Sequence, residues 1–203
     1  MLTDQSAGKM FPNMHAKYVS ATGTSLGPGE TGELWLSGPN VFKGYWKNDA
    51  ATKDSITADG FFKTGDIGFQ DDQHNFYITD RVKELIKYKG FQVPPAELEG
   101  KLMDHELVDD VAVIGVNDEQ QHTEVPRAYV VVSREKCAGA GEGEARDIVE
   151  WMSKKVASHK RLRGGIVFVD EIPKSASGKI LRRVLKERSG KDVPLGVAPR
   201  AKL

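Results

Sequence analysis

The sequence predicts an α/β chain of the α+β kind in two parts: a β-rich first part over residues 1–79 and a small mixed α/β domain over 80–190. Three observations predict it. Short alternating segments punctuated by Gly and Pro fill residues 15–79. Two apolar runs rich in β-branched residues follow residue 110. A stripe of helical period then separates those runs from a third.

In the first part, His15–Ser20 and Glu33–Ser37 alternate in character, with Gly23, Gly27, Pro28, Gly29 and Gly32 between them. Phe61–Phe69 and Asn75–Thr79 read as a further strand pair, turning through Asp71-Asp72-Gln73. The first dozen residues hold no element that could close such a sheet, so a larger N-terminal portion is expected upstream. In the second part, Pro94-Pro95 opens a helix in which Leu98 and Leu102 share a face. Val111–Ile114 and Ala128–Val132 read as buried strands. Ala145, Ile148, Val149, Met152 and Val156 form one helical stripe. Gly165–Val169 is another strand, and Ile180, Leu181, Val184 and Leu185 mark a closing helix. Residues 191–203, with Pro194, Gly196 and Pro199, read as a flexible tail.

Composition narrows the function. The 29 basic and 29 acidic residues cancel, so no global field recruits nucleic acid or an anionic membrane. The one cysteine, Cys137, rules out an internal disulfide and fits a reducing compartment. No apolar run approaches the roughly 20 residues of a membrane span. The start lacks the regions of a signal peptide, so a soluble intracellular protein is expected. The last three residues, Ala201-Lys202-Leu203, lie close to the Ser-Lys-Leu peroxisomal signal. They point to a peroxisomal import receptor and a peroxisomal location, with the cytoplasm as the alternative. The five histidines show no ligand spacing, and no metal site is expected. Gly139–Gly143 lacks the last glycine of a dinucleotide loop and reads as a surface loop.

Three patches carry candidate chemistry. Thr64-Gly65-Asp66 places a carboxylate beside a glycine at the end of an aromatic strand. Asp80–Val93 crowds Lys83, Lys87 and Lys89 onto a hairpin-like segment with Gly90 at its turn. Pro173–Arg183 sets Lys179 after a flexible Pro/Ser/Gly loop and before a basic helix. That loop is not a phosphate-cradling Gly-x-x-x-x-Gly-Lys-Ser/Thr motif, because Pro173 replaces its first glycine and Ile180 follows the lysine. Any phosphate it handles is met by the lysine as a point charge. On spacing alone, Asp66 equally serves as a turn cap, and the lysines as a charged strand edge.

Taken together, Gly32-Glu33-Leu34, Gly38-Pro39, Gly44-Tyr45, Thr64-Gly65-Asp66, Asp80–Gly90 and Pro173–Lys179 resemble, in order and spacing, the AMP-forming acyl/aryl-CoA synthetases. These adenylate-forming enzymes include 4-coumarate–CoA ligases and firefly luciferase. The resemblance runs from about Gly8 to Arg188 and corresponds to the end of that family's large N-terminal domain plus its small mobile C-terminal domain. The family's acyl pocket and Ser/Thr/Gly-rich ATP phosphate loop lie upstream of the matching part. The resemblance implies ATP with Mg2+, coenzyme A and a small-molecule carboxylic acid as substrates. It implies that Asp66 accepts hydrogen bonds from the ribose, that Arg81 reaches the same nucleotide, and that Lys83 is a hinge. It further implies that Lys179 stabilises the α-phosphate, that Lys87 and Gln92 face the adenylate, and that Lys89 and Gly90 contact coenzyme A. The basic cluster Lys154–Arg163 is then either a solvated face or part of the coenzyme A phosphate approach. Two functions stand: part of an acid–thiol ligase not active alone, or a non-catalytic module retaining weak nucleotide or coenzyme A binding.

Overall fold

The computed structural model describes residues 6–133 and 139–197; Cys137 and Ala201-Lys202-Leu203 lie outside them. It divides the chain into two units, Met1–Lys83 and Glu84–Leu203. Sheets dominate both.

The first unit is a four-stranded antiparallel sheet of β1 (His15–Val19), β2 (Gly32–Ser37), β3 (Phe62–Gln70) and β4 (Phe76–Arg81), in sequence order. Alternation sends Tyr18, Leu34 and Phe76 to one face, where they form a small core with Met10, Ala16, Leu26 and Leu36 around it. The pairing of β3 with β4 slips between Ile67 and Gly68, and a Cβ at Gly68 would stand 1.9 Å from the Tyr77 carbonyl oxygen. Only glycine fits that bulge. Two features were not expected from the sequence. Residues 7 and 8 pair with Phe76, through Ala7 N–H to Phe76 O at 2.7 Å and Phe76 N–H to Gly8 O at 2.8 Å. The N-terminal segment therefore does cap the sheet edge. A short helix, α1 (Asp49–Ser55), also interrupts the strands, capped by the Asn48 side chain accepting from Ala51 N–H at 3.0 Å.

The second unit opens with a two-stranded hairpin, β5 (Ile86–Tyr88) and β6 (Phe91–Val93), followed by α2 (Pro95–Leu102). A three-stranded sheet follows in the order β7 (Val108–Asp118), β8 (Thr123–Val132), β9 (Ile166–Phe168). The β7–β8 pair is antiparallel, while β9 runs parallel to β8 after a crossover through α3 (Glu142–Lys155). The main core fills the space between this sheet and the helices, from Leu98 and Leu102 of α2 to Ala145, Ile148 and Met152 of α3. Both helical stripes read from the sequence are therefore buried, although α3 stops one residue short of Val156.

The closing helix differs from expectation. The final helix, α4, covers Arg182–Arg188 only; Ile180 instead pairs with Lys174 in an isolated bridge, and Val184 is exposed. The expected flexible tail also differs over its described part. Leu195 exchanges both backbone hydrogen bonds with Ile166, at 2.7 and 2.9 Å, and Gly196 N–H donates to Glu142 at 3.2 Å. Asp192 accepts from the Tyr129 hydroxyl at 2.7 Å. Backbone and side-chain partners thus fix the segment that Pro194 and Gly196 had marked as loose.

Candidate functional site

In the first unit, Asp66 and Arg81 sit directly opposite each other on β3 and β4, and Arg81 Nε lies 2.9 Å from Asp66 Oδ1. The local sequence builds this placement. The Thr64 hydroxyl donates to Leu34 O at 2.7 Å and accepts from Asp66 N–H at 3.0 Å. Gly65 takes φ +73°, a left-handed conformation that costs any other L-residue about 1–2 kcal/mol. Its N–H donates to Glu33 at 3.1 Å, and its carbonyl accepts from Val82 N–H at 2.8 Å. Burial first, and the Asp66 charge second, push the Tyr18 hydroxyl up to about 12.

In the second unit, the β5–β6 hairpin turns through Lys89 and Gly90, both at positive φ (46° and 84°), which suits a tight two-residue turn. One face of the ribbon carries Ile86, Tyr88 and Val93 into the core. The opposite face pairs Lys87 with Gln92, both exposed. Lys83 is not on this hairpin, contrary to the sequence reading; it closes the preceding unit. Lys87, Lys89, Gly90 and Gln92 line a cleft of about 750 Å³ with Asn117 near the end of β7 and His122 in the turn to β8.

Sequence reasoning missed what holds this hairpin in place. The Thr123 hydroxyl accepts from Lys89 N–H and donates to Lys87 O, each at 2.8 Å. The Glu124 carboxylate accepts Lys87 N–H at 2.8 Å. Both residues begin β8, and no motif marks them. Their signal is only that two polar residues open a strand that otherwise reads apolar.

The Lys179 loop is not the loose segment its composition suggested. Leu181 N–H donates to Pro173 O and Ser175 N–H to Lys179 O, each at 2.8 Å, while the Ser175 and Ser177 hydroxyls lie 2.9 Å apart. Lys174 Nζ anchors its base on Asp110 at 2.6 Å. The Lys179 side chain is 57% exposed, and its Nζ stands 3.8 Å from Glu84 Oε1. Among the described residues no group of three or more His, Cys, Asp or Glu is placed to hold a metal ion, and no helix is long and apolar enough to cross a membrane. In the basic cluster, Lys154 pairs with Glu150 and Lys160 with Glu97, while Arg163 bonds Ser158 and lies over the Tyr88 ring.

Comparison with known proteins bears on these motifs. Residues 97–179 match the family described as AMP-binding enzyme C-terminal domain, and residues 2–46 match AMP-binding enzyme. The chain is 48% identical over 183 residues to a probable 4-coumarate–CoA ligase 3 of Dictyostelium discoideum, covering 90% of this chain and 32% of the relative. It is 46% identical over 184 residues to a luciferin 4-monooxygenase of Photuris pensylvanica, with coverages of 90% and 32%. Among solved structures, ATP-bound MatB from Rhodopseudomonas palustris superposes with a TM-score of 0.80 at 33% identity, covering 90% of this chain and 35% of that one. O-succinylbenzoate coenzyme A synthetase from Bacillus subtilis with AMP gives 0.72 at 32% identity, with coverages of 96% and 37%. The chain spans about a third of the length of the curated relatives it matches.

Proposed function

We infer the function from the premise that this chain belongs to the AMP-binding, adenylate-forming enzymes. It contributes one part of an acid–thiol ligase. In the first half-reaction a carboxylate oxygen attacks the α-phosphorus of Mg-ATP, expelling pyrophosphate and forming an acyl-adenylate. In the second, the thiol of coenzyme A attacks the acyl carbon and AMP leaves. The observation that carries this reading is the presentation of Lys179: an exposed side chain, loosely ion-paired, on the residue that closes a turn held by its own backbone bonds.

In this assignment Asp66 accepts hydrogen bonds from the ribose hydroxyls, and Arg81, which already orients Asp66, reaches the same nucleotide. The division of the chain after Lys83 supports that residue as the hinge, since few residues absorb such a backbone change. Lys179 offsets charge developing at the α-phosphate, a contribution of about 3–4 kcal/mol if comparable to one oxyanion donor. For the second half-reaction, the exposed Lys87–Gln92 pair faces the adenylate, and the Lys89-Gly90 turn meets coenzyme A. Mg2+ arrives as the counter-ion of ATP. Residues 201–203 supply the address for a peroxisomal import receptor; appending residues 191–203 to a fluorescent protein should relocate it to peroxisomes. A diffuse signal would remove that assignment.

The chain alone should release no pyrophosphate from ATP in an acid-dependent way. Fused downstream of the N-terminal two thirds of the Dictyostelium relative, in place of that relative's own matching third, it should support acid-dependent ATP–pyrophosphate exchange. In that fusion Lys179→Ala should lower exchange by about 10²–10³ while sparing thioester formation from a supplied acyl-adenylate. Lys87→Ala should do the reverse. A fusion that stays inert while the parent enzyme turns over would favour the binding-module alternative. Equal loss of both half-reactions in both variants would sink the assignment of roles.

A further inference from the structure

The carboxylate that Lys179 faces is itself held in a larger arrangement. Arg182 is the first residue of α4, and its side chain is only 14% exposed. Its Nη1 donates to Glu84 Oε2 at 2.5 Å, and its Nη2 donates to both Glu99 oxygens at 2.8 and 2.7 Å. Its Nε reaches Val113 O at 3.3 Å, and Glu99 also accepts Val113 N–H at 2.8 Å. Two carboxylates therefore converge on one guanidinium in a partly buried place. Lys179 Nζ stands 3.8 Å from Glu84 Oε1, the oxygen that Arg182 does not hold.

We propose that Glu84 is the resting seat of the Lys179 ammonium and that Arg182 is the positioning residue that builds this seat. The use of the seat in adenylation rests on the function proposed above, whereas its existence does not. At 3.8 Å the contact is an ion pair longer than a hydrogen bond, and the lysine is largely in water. The hold is therefore loose enough for a phosphoryl oxygen to displace. Arginine is required because its planar fork serves three groups on three segments at once: Glu84 before β5, Glu99 on α2 and Val113 on β7. An ammonium donates from a single atom and cannot span them. The same fork fixes where α4 starts and, with it, the arm of the loop that leads back from Lys179.

The test uses the 203-residue chain and an amine-acetylating reagent, with site rates read by peptide mass spectrometry. Lys174 is the internal reference, because it belongs to the same loop but is paired with Asp110. Glu84→Gln should raise the Lys179 rate relative to Lys174 by about threefold, within what an exposed ion pair supports. Arg182→Gln lets the Glu84 carboxylate turn away from Lys179, which outweighs the lost neighbouring cation and should raise the ratio as well; Arg182→Lys, which keeps the charge without the fork, should fall between wild type and Arg182→Gln. An unchanged ratio in Glu84→Gln overturns the seat, and that variant decides the matter if Arg182→Gln fails to fold. An equal rise at both lysines in Arg182→Gln overturns the positioning role, since it reports a loosened loop. Arg182→Lys matching the wild-type ratio overturns it as well. None of these readouts needs catalysis, so an inert fusion enzyme would remove the ligase reading and leave the seat standing.

Discussion

Replacing Arg182 with Gln should cost the second unit about 3 kcal/mol. Removing one partner of a buried ion pair strands the other and typically costs about 3–5 kcal/mol. The Arg182–Glu99 contact is near that limit, with side chains 14% and 13% exposed. Glu84 is 24% exposed, so water can return to it, and the lower end of the range applies. For a domain of this size that is a fall of roughly 10 °C in Tm. The assay is urea unfolding at pH 7 in a Trp35→Phe, Trp46→Phe background, where Trp151 alone reports the second unit. Glu99→Gln should be costly singly but not additive with Arg182→Gln, because both remove the same contact; the coupling should reach about 1.5 kcal/mol. A loss below about 1 kcal/mol for Arg182→Gln, or full additivity in the cycle, would refute the claim that this guanidinium organises the unit.

The same Trp151 signal tests the Tyr129 hydroxyl, which burial first and Asp192 second raise to about 12. Its proton is kept by the folded state and lost by the unfolded one between about pH 10 and 12, so stability should fall with rising pH there, by at most about 1.4 kcal/mol per unit. Tyr129→Phe should flatten that slope; an unchanged slope would assign it elsewhere. Thr123→Val removes two of the three hydrogen bonds that tie the Lys87–Lys89 backbone to β8, and amide exchange at Lys89 should speed by the equivalent of about 1–2 kcal/mol. Gly65→Ala meets no atom within 4 Å, so its expected cost of about 1–2 kcal/mol is backbone strain alone, read from Trp35 fluorescence on unfolding. A Gly65→Ala variant as stable as wild type would show that the left-handed conformation is not retained.

Much of the fold was legible because burial repeats at the period of each element. Leu98 and Leu102 at i, i+4, or Ala145, Ile148 and Met152 along α3, can share a face in one way only. The candidate residues were legible as types in order, and Asp66–Arg81 and Lys87–Gln92 do meet as cross-strand partners. Long-range polar contacts were not legible. Arg182 read as one of two arginines on a basic helix, yet it shares a face with buried Leu185, while Arg183 points to solvent beside Glu187. Glu84 and Glu99 meet Arg182 across 98 and 83 residues of chain, and no local pattern records such a meeting. The loop around Lys179 looked loose because Pro, Ser and Gly are turn formers, and turn formers also close hydrogen-bonded loops.

The pairing of Leu195 with Ile166 has a consequence for how the chain behaves in solution. Among the described residues β9 has β8 as its one strand neighbour, and Leu195 covers the outer side at Ile166. A version shortened to end before Leu195 would present an apolar Ile-Val-Phe strand with free amides on that edge, and such edges recruit strands from other molecules. The last docked residues thus guard against aggregation, and their loss should appear first as turbidity at high concentration.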